Sequence, residues 1–504
     1  MPRKSVCKAL AVSAGLIISM VFSPEPSGSS LASDNSCFGL QVVDEQTGAG
    51  IPLVELSTVN GIRHVTDNAG WIAWQEPGLM NTEVFWTVSG PGIERASDGF
   101  GYRGFRAVTT PGTMAVIKVK STNIASRLGR LTGQGIYGHS ERLGRPCPVP
   151  NRMGPAVMGQ DSAQGALFDD KIFWLWGDTS QARYPLGNFH TTSAWTERSA
   201  HPEQGLNYAY LLAPDNPHLL RKMLPLDRPG VVWMFGLLSL QDAETRQSRL
   251  FAGFTRQKGL VPPDERGIAE FDLRAGQFHI AAPVPLEQEW PMPGGQAVRV
   301  STGQADHFYF CRPFAQVRVP ARPASILNWQ EYEMFRFDAE TDSWAWQTAA
   351  APTTQLDEEH LLNSGKMTPG QARYRLTDAG TGKPVQVHGA SIQWNEFRQK
   401  FVMIALQKGD EKSPSWLGEI WYAESEQITG PWGPAVKVAS HPGQTYYNPL
   451  HLAFFDREAG RIIYFEGTYT REFSGTPVGT PRYDYNQLMY RLDLSDARLA
   501  PAQE

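Results

Sequence analysis

The stretch MGQDSAQGALFDDKIFWLWGDTSQ, residues 158–181, carries the signal that decides the fold class. Its apolar run 172–176 predicts a buried strand, and the residues FDDK at 168–171 predict a turn that pairs this strand antiparallel with the one before it. Asp161 precedes this hairpin and Asp178 follows it. We therefore expect a β-sheet unit with two acids facing each other at one end.

Short strand-like runs continue from about residue 152 to residue 494, separated by turn residues. The clearest runs are 172–176, 232–235, 250–254, 307–310, 332–337, 401–405, 420–423, 451–455, 462–465 and 488–492. Helical patterns are limited to two modest candidates, 356–363 and 424–428. Because this region is too long for one β-sandwich, blade-like units of four strands fit it better, and we predict an all-β propeller.

The strand groups number five, so residues 151–496 are predicted to form a five-bladed β-propeller, followed by a tail at 497–504. The groups are 159–195, 231–271, 298–346, 389–438 and 447–494. Sequence repetition between them is weak. A propeller of six or seven blades, with strands overlooked in the loop-rich region 202–293, is the alternative.

The residues before the propeller predict a small β-sandwich at 33–120 and a connector at 121–150. Strand-like runs at 38–43, 51–56, 71–74, 84–88 and 114–119 alternate with turns such as 44–48 and 66–70. Cys37, Cys147 and Cys311 follow residue 32. This odd count leaves the pairing open between a Cys37–Cys147 bridge joining the two domains and three separate thiols.

The N-terminal residues 1–32 have the pattern of a secretory signal peptide. Arg3, Lys4 and Lys8 precede a short apolar run at 9–22, and a Pro/Ser/Gly stretch with small residues up to Ala32 follows it. The run is too short to span a bilayer as a helix. We therefore predict a secreted protein, or one that works in the periplasm or cell envelope, with an uncleaved anchor as the alternative.

Composition excludes several classes of protein. Of the 504 residues, 41% are hydrophobic and 19% are charged, which is typical of a globular protein with a large core. The net charge of −5, with no Lys/Arg block, argues against a nucleic-acid partner. After the signal, no apolar stretch is long enough to span a membrane. Phosphate-loop, zinc and calcium motifs are absent, so we expect no metal or cofactor, with a structural cation in the propeller centre left open.

Asp161 and Asp178 are the candidate catalytic residues. Glycoside cleavage needs one protonated carboxyl to donate to the leaving oxygen, and one carboxylate to activate water or attack the sugar. The alternative is structural, because an Asp before a turn and an Asp-Thr after a strand commonly cap backbone amides. Spacing alone leaves both interpretations open.

The segment GQDS…KIFWLWGDT resembles the domain-of-unknown-function 4185 proteins, which are linked with the endo-D-arabinanases of glycoside hydrolase family 183. Similar pieces occur at 391–407, 430–432, 446–456, 462–470 and 485–494, whereas the likeness is thin from 202 to 384. The resemblance implies a five-bladed propeller in which Asp161 and Asp178 perform hydrolysis. The run VVDEQTGAGIPLVEL…VTDNAGWIAW resembles carboxypeptidase-regulatory-like or transthyretin-like β-sandwiches, which implies a non-catalytic accessory domain.

Other polar residues at strand starts and loops are candidates for sugar binding. Their aromatic faces, amides, imidazoles and carboxyls suit a saccharide, and core packing or turn capping is the competing interpretation of each. The candidates are His190, His388, Tyr446, Tyr447, Asn448 and Glu466.

These features favour an exported glycoside hydrolase that acts on a polysaccharide or oligosaccharide, with arabinan as one candidate furanoside. Two alternatives are a propeller that only binds glycans or proteins, and a polysaccharide lyase. A lyase needs a His or Tyr base and a charge neutraliser near an acidic sugar. The sequence leaves the sugar, the linkage and the oligomeric state undetermined.

Overall fold

The computed structural model describes residues 36–149, 157–188, 190–301, 303, 305–482 and 484–503. The predicted signal peptide, residues 1–32, lies outside the described residues. Two modules follow in chain order, a small β-sandwich and a β-propeller.

The sandwich consists of two four-stranded sheets, in the orders β4-β1-β8-β6 and β3-β2-β5-β7. Its strands are β1 Phe38–Asp44, β2 Glu55–Thr58, β3 Arg63–Val65, β4 Trp71–Trp74, β5 Glu83–Ser89, β6 Ile93–Glu94, β7 Gly104–Val108 and β8 Met114–Ser121. Inward-facing residues of both sheets, among them Leu40, Trp74 and Trp86, form one shared core. Strand β5 alternates buried and exposed residues, as expected for a sheet with one covered face.

The propeller strands follow in chain order. They are β9 Ser126–Arg130, β10 Val157–Gln160, β11 Gln164–Phe168, β12 Lys171–Trp176, β13 Thr179–Gln181, β14 Tyr184–Asn188, β15 Thr192–Glu197, β16 Ala209–Tyr210, β17 Leu212–Ala213, β18 Asn216–Leu220, β19 Val231–Gln241, β20 Ser248–Gln257, β21 Glu265–Asp272, β22 Gln277–Pro283, β23 Gln296–Ser301, β24 Asp306–Cys311, β25 Ala315–Pro320, β26 Glu333–Asp338, β27 Ser343–Gln347, β28 Leu376–Asp378, β29 Pro384–Val385, β30 Val387–Asn395, β31 Lys400–Gln407, β32 Ile420–Ser425, β33 Pro434–Ala439, β34 Thr445–His451, β35 Ile462–Thr470 and β36 Asn486–Asp493.

These strands form five blades. Blade 1 is β11-β12-β15-β16, blade 2 is β19-β20-β21-β22, blade 3 is β23 to β27, blade 4 is β30 to β33 with β28 and β29, and blade 5 is β34-β35-β36-β9. The small sheets β10-β13-β14 and β17-β18 flank blade 1. The all-β prediction of a sandwich followed by a five-bladed propeller is confirmed.

The ring closes because β9 pairs antiparallel with β36, with Leu488 opposite Arg130. Part of the stretch 121–150, which the sequence assigned to a connector, is therefore the outer strand of blade 5. The run SRLGR is too short and too polar to predict a strand by itself, and its ladder partner lies near the other end of the chain.

Five hydrophobic cores lie between successive blades, and one of them joins blade 5 to blade 1. Strand β12 shows the principle, since Trp174 packs towards blade 5 while the adjacent Phe173 packs towards blade 2. A strand covered on both faces has no polar alternation, which explains the unbroken apolar run at 172–176.

Helices are few and short. The α-helices are α1 Gly138–Arg142, α2 Pro323–Ile326 and α3 Gln355–Asn363; the 3₁₀ turns are Pro77–Leu79, Pro202–Gln204, Trp329–Glu331, Pro369–Gln371, Ala453–Phe455, Glu458–Gly460 and Ala497–Ala502. A capping box between Thr354 and Asp357 starts α3, and the helix predicted at 356–363 is confirmed. The helix predicted at 424–428 is wrong, because β32 continues to Ser425 in the ladder with β31.

The three cysteines lie in different environments. Cys37 is buried, with Arg142 Nη2 at 3.2 Å from its Sγ, whereas Cys147 is exposed and its Sγ lies 3.9 Å from the Tyr137 carbonyl oxygen. Cys311 is a free thiol buried in the core between blades 3 and 4.

Candidate active site

A cavity of about 730 Å³ lies where the innermost strands of all five blades converge. Each blade contributes residues at or next to its first strand: Gln164 from blade 1, Trp233 from blade 2, Gln296 from blade 3, His388 from blade 4 and Tyr447 from blade 5. Concave sites of this size commonly bind small ligands. The cavity is therefore the candidate active site.

The two aspartates predicted from the hairpin both line this cavity. Strands β11 and β12 pair antiparallel around the predicted turn, with Phe168 opposite Lys171. Beyond the open end, the Asp161 amide donates to the Asp178 carbonyl at 3.2 Å, and the Gly177 amide donates to the Asp161 carbonyl at 2.9 Å. The backbone pairing thus brings the two acids together.

Asp161 is held by two tyrosines. Its Oδ2 accepts hydrogen bonds from the hydroxyls of Tyr447 at 2.9 Å and Tyr485 at 2.8 Å. Burial, followed by the charge of Asp178, raises the pKa of Asp161 to about 6, against the lowering effect of these hydrogen bonds and of one from the Asp178 backbone. Asp161 can therefore hold a proton at mildly acidic pH.

Gly177 makes room for the Asp161 side chain. A Cβ added at residue 177 would lie 2.2 Å from Asp161 Oδ1. Glycine is thus needed at residue 177 because a larger side chain would clash with Asp161, whether or not the Gly-Asp-Thr sequence forms a turn.

Asp178 is more open than Asp161. Its Oδ1 accepts a hydrogen bond from Trp233 Nε1 at 3.0 Å. Burial raises the pKa of Asp178, and the bond from Trp233 opposes this shift. The two carboxyls therefore differ in environment, which is what separates an acid from a base in an active site.

Blade 5 contributes a further acidic side chain to the cavity, from the loop between β35 and β36. Glu472 and Phe473 line the cavity from this loop, and Phe473 is 61% exposed. Burial and the charges of Asp484 and Asp178 raise the pKa of Glu472. Phe473 packs edge-on against Tyr447, with ring centroids 5.8 Å apart, so an apolar ring stands at the rim beside the acids.

Tyr447 and Asn448 reach the cavity through an irregularity in β34. The register with β35 shifts between Tyr447 and Leu450, and Asn448 has a φ of 53°. Such a bulge re-aims side chains beside functional sites. Asn448 Nδ2 donates to Ser162 Oγ at 2.7 Å and so joins blade 5 to the residue after Asp161.

The other predicted sugar-binding residues divide into one that lines the cavity and three that do not. His388 lines it from blade 4. Tyr446 is instead buried in the core, where its hydroxyl donates to the Leu488 carbonyl at 2.8 Å. His190 is half-buried outside the cavity lining, and burial lowers its pKa to about 4.

Glu466 does not line the cavity either. It is fully buried opposite Leu450 and Met489, two residues of the core between blades 5 and 1, and burial raises its pKa to about 8. The sequence predicts Tyr446 before the start of a strand and Glu466 after the end of one, whereas the structure places both inside strands, β34 and β35, with their side chains buried. Adjacent strand residues face opposite ways and bulges shift this alternation, so position along a strand does not by itself decide which side chains reach the cavity.

Several cavity residues carry no signal in the sequence. Trp233 and Gln296 resemble ordinary strand residues, and Arg312, Glu472 and Tyr485 lie on loops far from the aspartates in the chain. The nearest hint for Tyr485 is that it begins the segment YNQLMYRLDL, which was part of the family resemblance.

Within the described residues, no group of three or more His, Cys, Asp or Glu side chains is arranged to hold a metal ion. In the same part of the chain, no helix is long and apolar enough to cross a membrane.

Comparison with known proteins finds solved structures of low similarity. No protein-family model and no curated sequence matches the chain. Solved structures that are similar include an exo-β-1,3-galactanase from Phanerochaete chrysosporium (TM-score 0.36, 9% identity, 67% of this chain and 61% of that one). Others are the arabinanase of Bacillus subtilis (TM-score 0.32, 9% identity, 68% and 98%) and a GH43 endo-arabinanase from Bacillus licheniformis (TM-score 0.31, 9% identity, 66% and 93%).

This chain thus aligns with 61% of the length of the galactanase. At such identities and TM-scores the likeness carries no argument about activity, and the five-bladed architecture rests on the sheets and inter-blade cores described above. The resemblances to the domain-of-unknown-function 4185 proteins and to carboxypeptidase-regulatory-like sandwiches remain expectations from the sequence.

Proposed function

We propose that this protein is an exported glycoside hydrolase that cleaves a polysaccharide or oligosaccharide by means of Asp161 and Asp178. The observation that carries the proposal is the placement of two adjacent carboxyls, both with raised pKa values, in the cavity where all five blades meet. Export rests on the signal-like residues 1–32.

The environments of the two carboxyls suggest their roles. Asp161, whose pKa is raised to about 6, keeps its proton to higher pH than an ordinary aspartic acid does. It therefore acts as the general acid towards the leaving oxygen. A tyrosine hydroxyl can accept from the protonated acid and donate onward, so the hydroxyls of Tyr447 and Tyr485 suit transfer of this proton. Asp178, positioned by Trp233, is the ionised partner that activates water or attacks the sugar.

The test is activity of the full chain on a panel of arabinan, galactan and uronate-containing polysaccharides, with release of reducing ends as the readout. We expect Asp161→Asn and Asp178→Asn to lower kcat/KM by roughly 10²–10⁴-fold, since each removes a proton-transfer group. Asp170→Asn is the matched control, because Asp170 is exposed at the opposite end of the same hairpin. Full activity of either cavity variant would contradict the proposal.

A lyase is the second candidate, because Tyr447, Tyr485 and Arg312 lie in the same cavity. Burial raises the pKa of both tyrosines above the ordinary value, so both hydroxyls stay protonated at neutral pH and little tyrosinate is available as a base, which favours the hydrolase. Both reactions release reducing ends, but only elimination leaves an unsaturated uronate, so absorbance of that product would identify a lyase. Binding with no product would identify a glycan-binding propeller.

A further inference from the structure

Arg312 lines the cavity from blade 3, on the loop between β24 and β25. Its guanidinium lies over the ring of Trp290, 4.7 Å from the centroid. Its ion pair is a long one, 3.8 Å from Nη2 to Glu289 Oε1, and the Glu289 side chain is 62% exposed. No hydrogen bond from this guanidinium to another described residue is present, so a partly buried cation faces the cavity without a close counter-ion.

Other arginines on the blades are paired differently. Each of four examples has a carboxylate oxygen within 3.0 Å of Nε; the pairs are Arg249–Glu270, Arg256–Glu265, Arg318–Glu333 and Arg398–Glu424. Burying a charge without a close partner is costly, and burial lowers the pKa of Arg312 accordingly. Arg312 therefore has the unfilled hydrogen-bonding capacity that its equivalents lack.

The charged groups of the cavity are segregated. Asp161, Asp178 and Glu472 form an acidic wall on blades 1 and 5, whereas Arg312 lies on blade 3. His388 lies on blade 4, but burial lowers its pKa, so Arg312 carries the positive charge on this side. An anionic group on a bound ligand would be repelled by the acidic wall and attracted to Arg312. The distribution of charges in the cavity thus favours one orientation of a ligand that carries a negative charge at one end.

We propose that the substrate is an acidic glycan, and that Arg312 binds the carboxylate of a uronate residue next to the linkage that the aspartates cleave. The planar guanidinium matches a carboxylate in two parallel hydrogen bonds, so it selects this group over a hydroxyl. This assignment rests on the proposed function, because it places the anionic sugar relative to the Asp161–Asp178 pair.

Binding is measured without turnover by affinity electrophoresis of the full chain carrying Asp178→Asn. The gels contain glucuronoxylan, polygalacturonate, alginate or hyaluronan, each as the native polymer and as its carboxyl-reduced form. We expect retardation by at least one native polymer, and affinity lower by about 10- to 100-fold for its reduced form or after Arg312→Gln. Arg312→Lys keeps the positive charge but loses the planar guanidinium that makes two parallel hydrogen bonds. It should therefore bind with intermediate affinity.

Arg318→Gln is the matched control. Arg318 lies on the same blade and stacks on Trp346 at 4.3 Å, but it is paired with Glu333 and does not line the cavity. Equal retardation by native and reduced polymers, unchanged binding of the Arg312 variants, or no retardation by any polymer would overturn the inference. Uronate binding without hydrolysis would refute only the proposed function, whereas hydrolysis of neutral glycans unaffected by Arg312→Gln would refute only this inference.

Discussion

Asp161 shows at the scale of one residue how opposing effects set a protonation state. Burial and the neighbouring Asp178 favour the neutral acid, while the hydroxyls of Tyr447 and Tyr485 favour the carboxylate. The result is a pKa of about 6, between a free carboxyl and a fully buried one. The two tyrosines therefore lower the pKa of Asp161, and replacing one of them should raise it.

For this reason we expect Tyr485→Phe to move the alkaline limb of the kcat/KM profile to higher pH. Loss of the donor destabilises the Asp161 carboxylate, so its pKa rises and the protonated acid persists longer as the pH increases. A rise of roughly 0.5–1 pH unit is expected from one hydrogen bond. A pH–rate profile against wild type measures it, with the exposed Tyr102→Phe as control. An unchanged or lowered limb would mean that Asp161 is not the acid.

At the scale of elements, the junction between sandwich and propeller depends on the turn at 66–70. Asn68 donates through Nδ2 to the Arg130 carbonyl at 2.8 Å and accepts from the Arg130 amide at 2.9 Å. These bonds attach the sandwich to β9, the strand that closes the ring. Gly129 permits the approach, because a Cβ there would lie 2.5 Å from Asn68 Cγ.

Asn68→Ala should therefore destabilise the propeller, although residue 68 lies in the sandwich. Two hydrogen bonds to β9 are lost, so the free energy of unfolding should fall by about 2 kcal/mol. Thermal unfolding of the full chain measures this loss, and Asn207→Ala, at an exposed position of the propeller, is the control. If both variants melt like wild type, β9 does not depend on the Asn68 contact.

At the scale of the whole molecule, the five inter-blade cores form a closed ring around the cavity. Glu466 sits among apolar side chains where blades 5 and 1 meet, and its carboxyl is protonated in the folded state at neutral pH. Its pKa of about 8 exceeds the unfolded value, so the unfolded chain binds fewer protons over the range between them.

The sign of this linkage predicts that stability falls as the pH rises from about 4.5 to about 8. Glu466→Gln should remove this pH dependence, because glutamine does not titrate. The plot of unfolding free energy against pH should become flatter over that range, by the amount that corresponds to about one bound proton. Chemical denaturation at several pH values measures the slope, with the exposed Glu411→Gln as control. A slope in Glu466→Gln equal to that of wild type would show that Glu466 titrates normally.

The sequence by itself determined what depends on local pattern. The apolar run 172–176, the turn beside it and the spacing of strand groups were enough to predict the blades, the hairpin and the two acids at its open end. Those features follow from the alternation and turn preferences of nearby residues. The helix at 356–363 was predictable for the same reason, since its cap is local.

Only the tertiary structure decided which side chains meet. Strand β9 closes a blade whose other strands lie near the far end of the chain, and Tyr485, Arg312 and Glu472 reach the cavity from loops on distant blades. Likewise, a bulge in β34 separates Tyr447 from Tyr446, so that one faces the cavity and the other the core. Contacts between residues far apart in sequence depend on the closure of the ring, for which local pattern carries no signal.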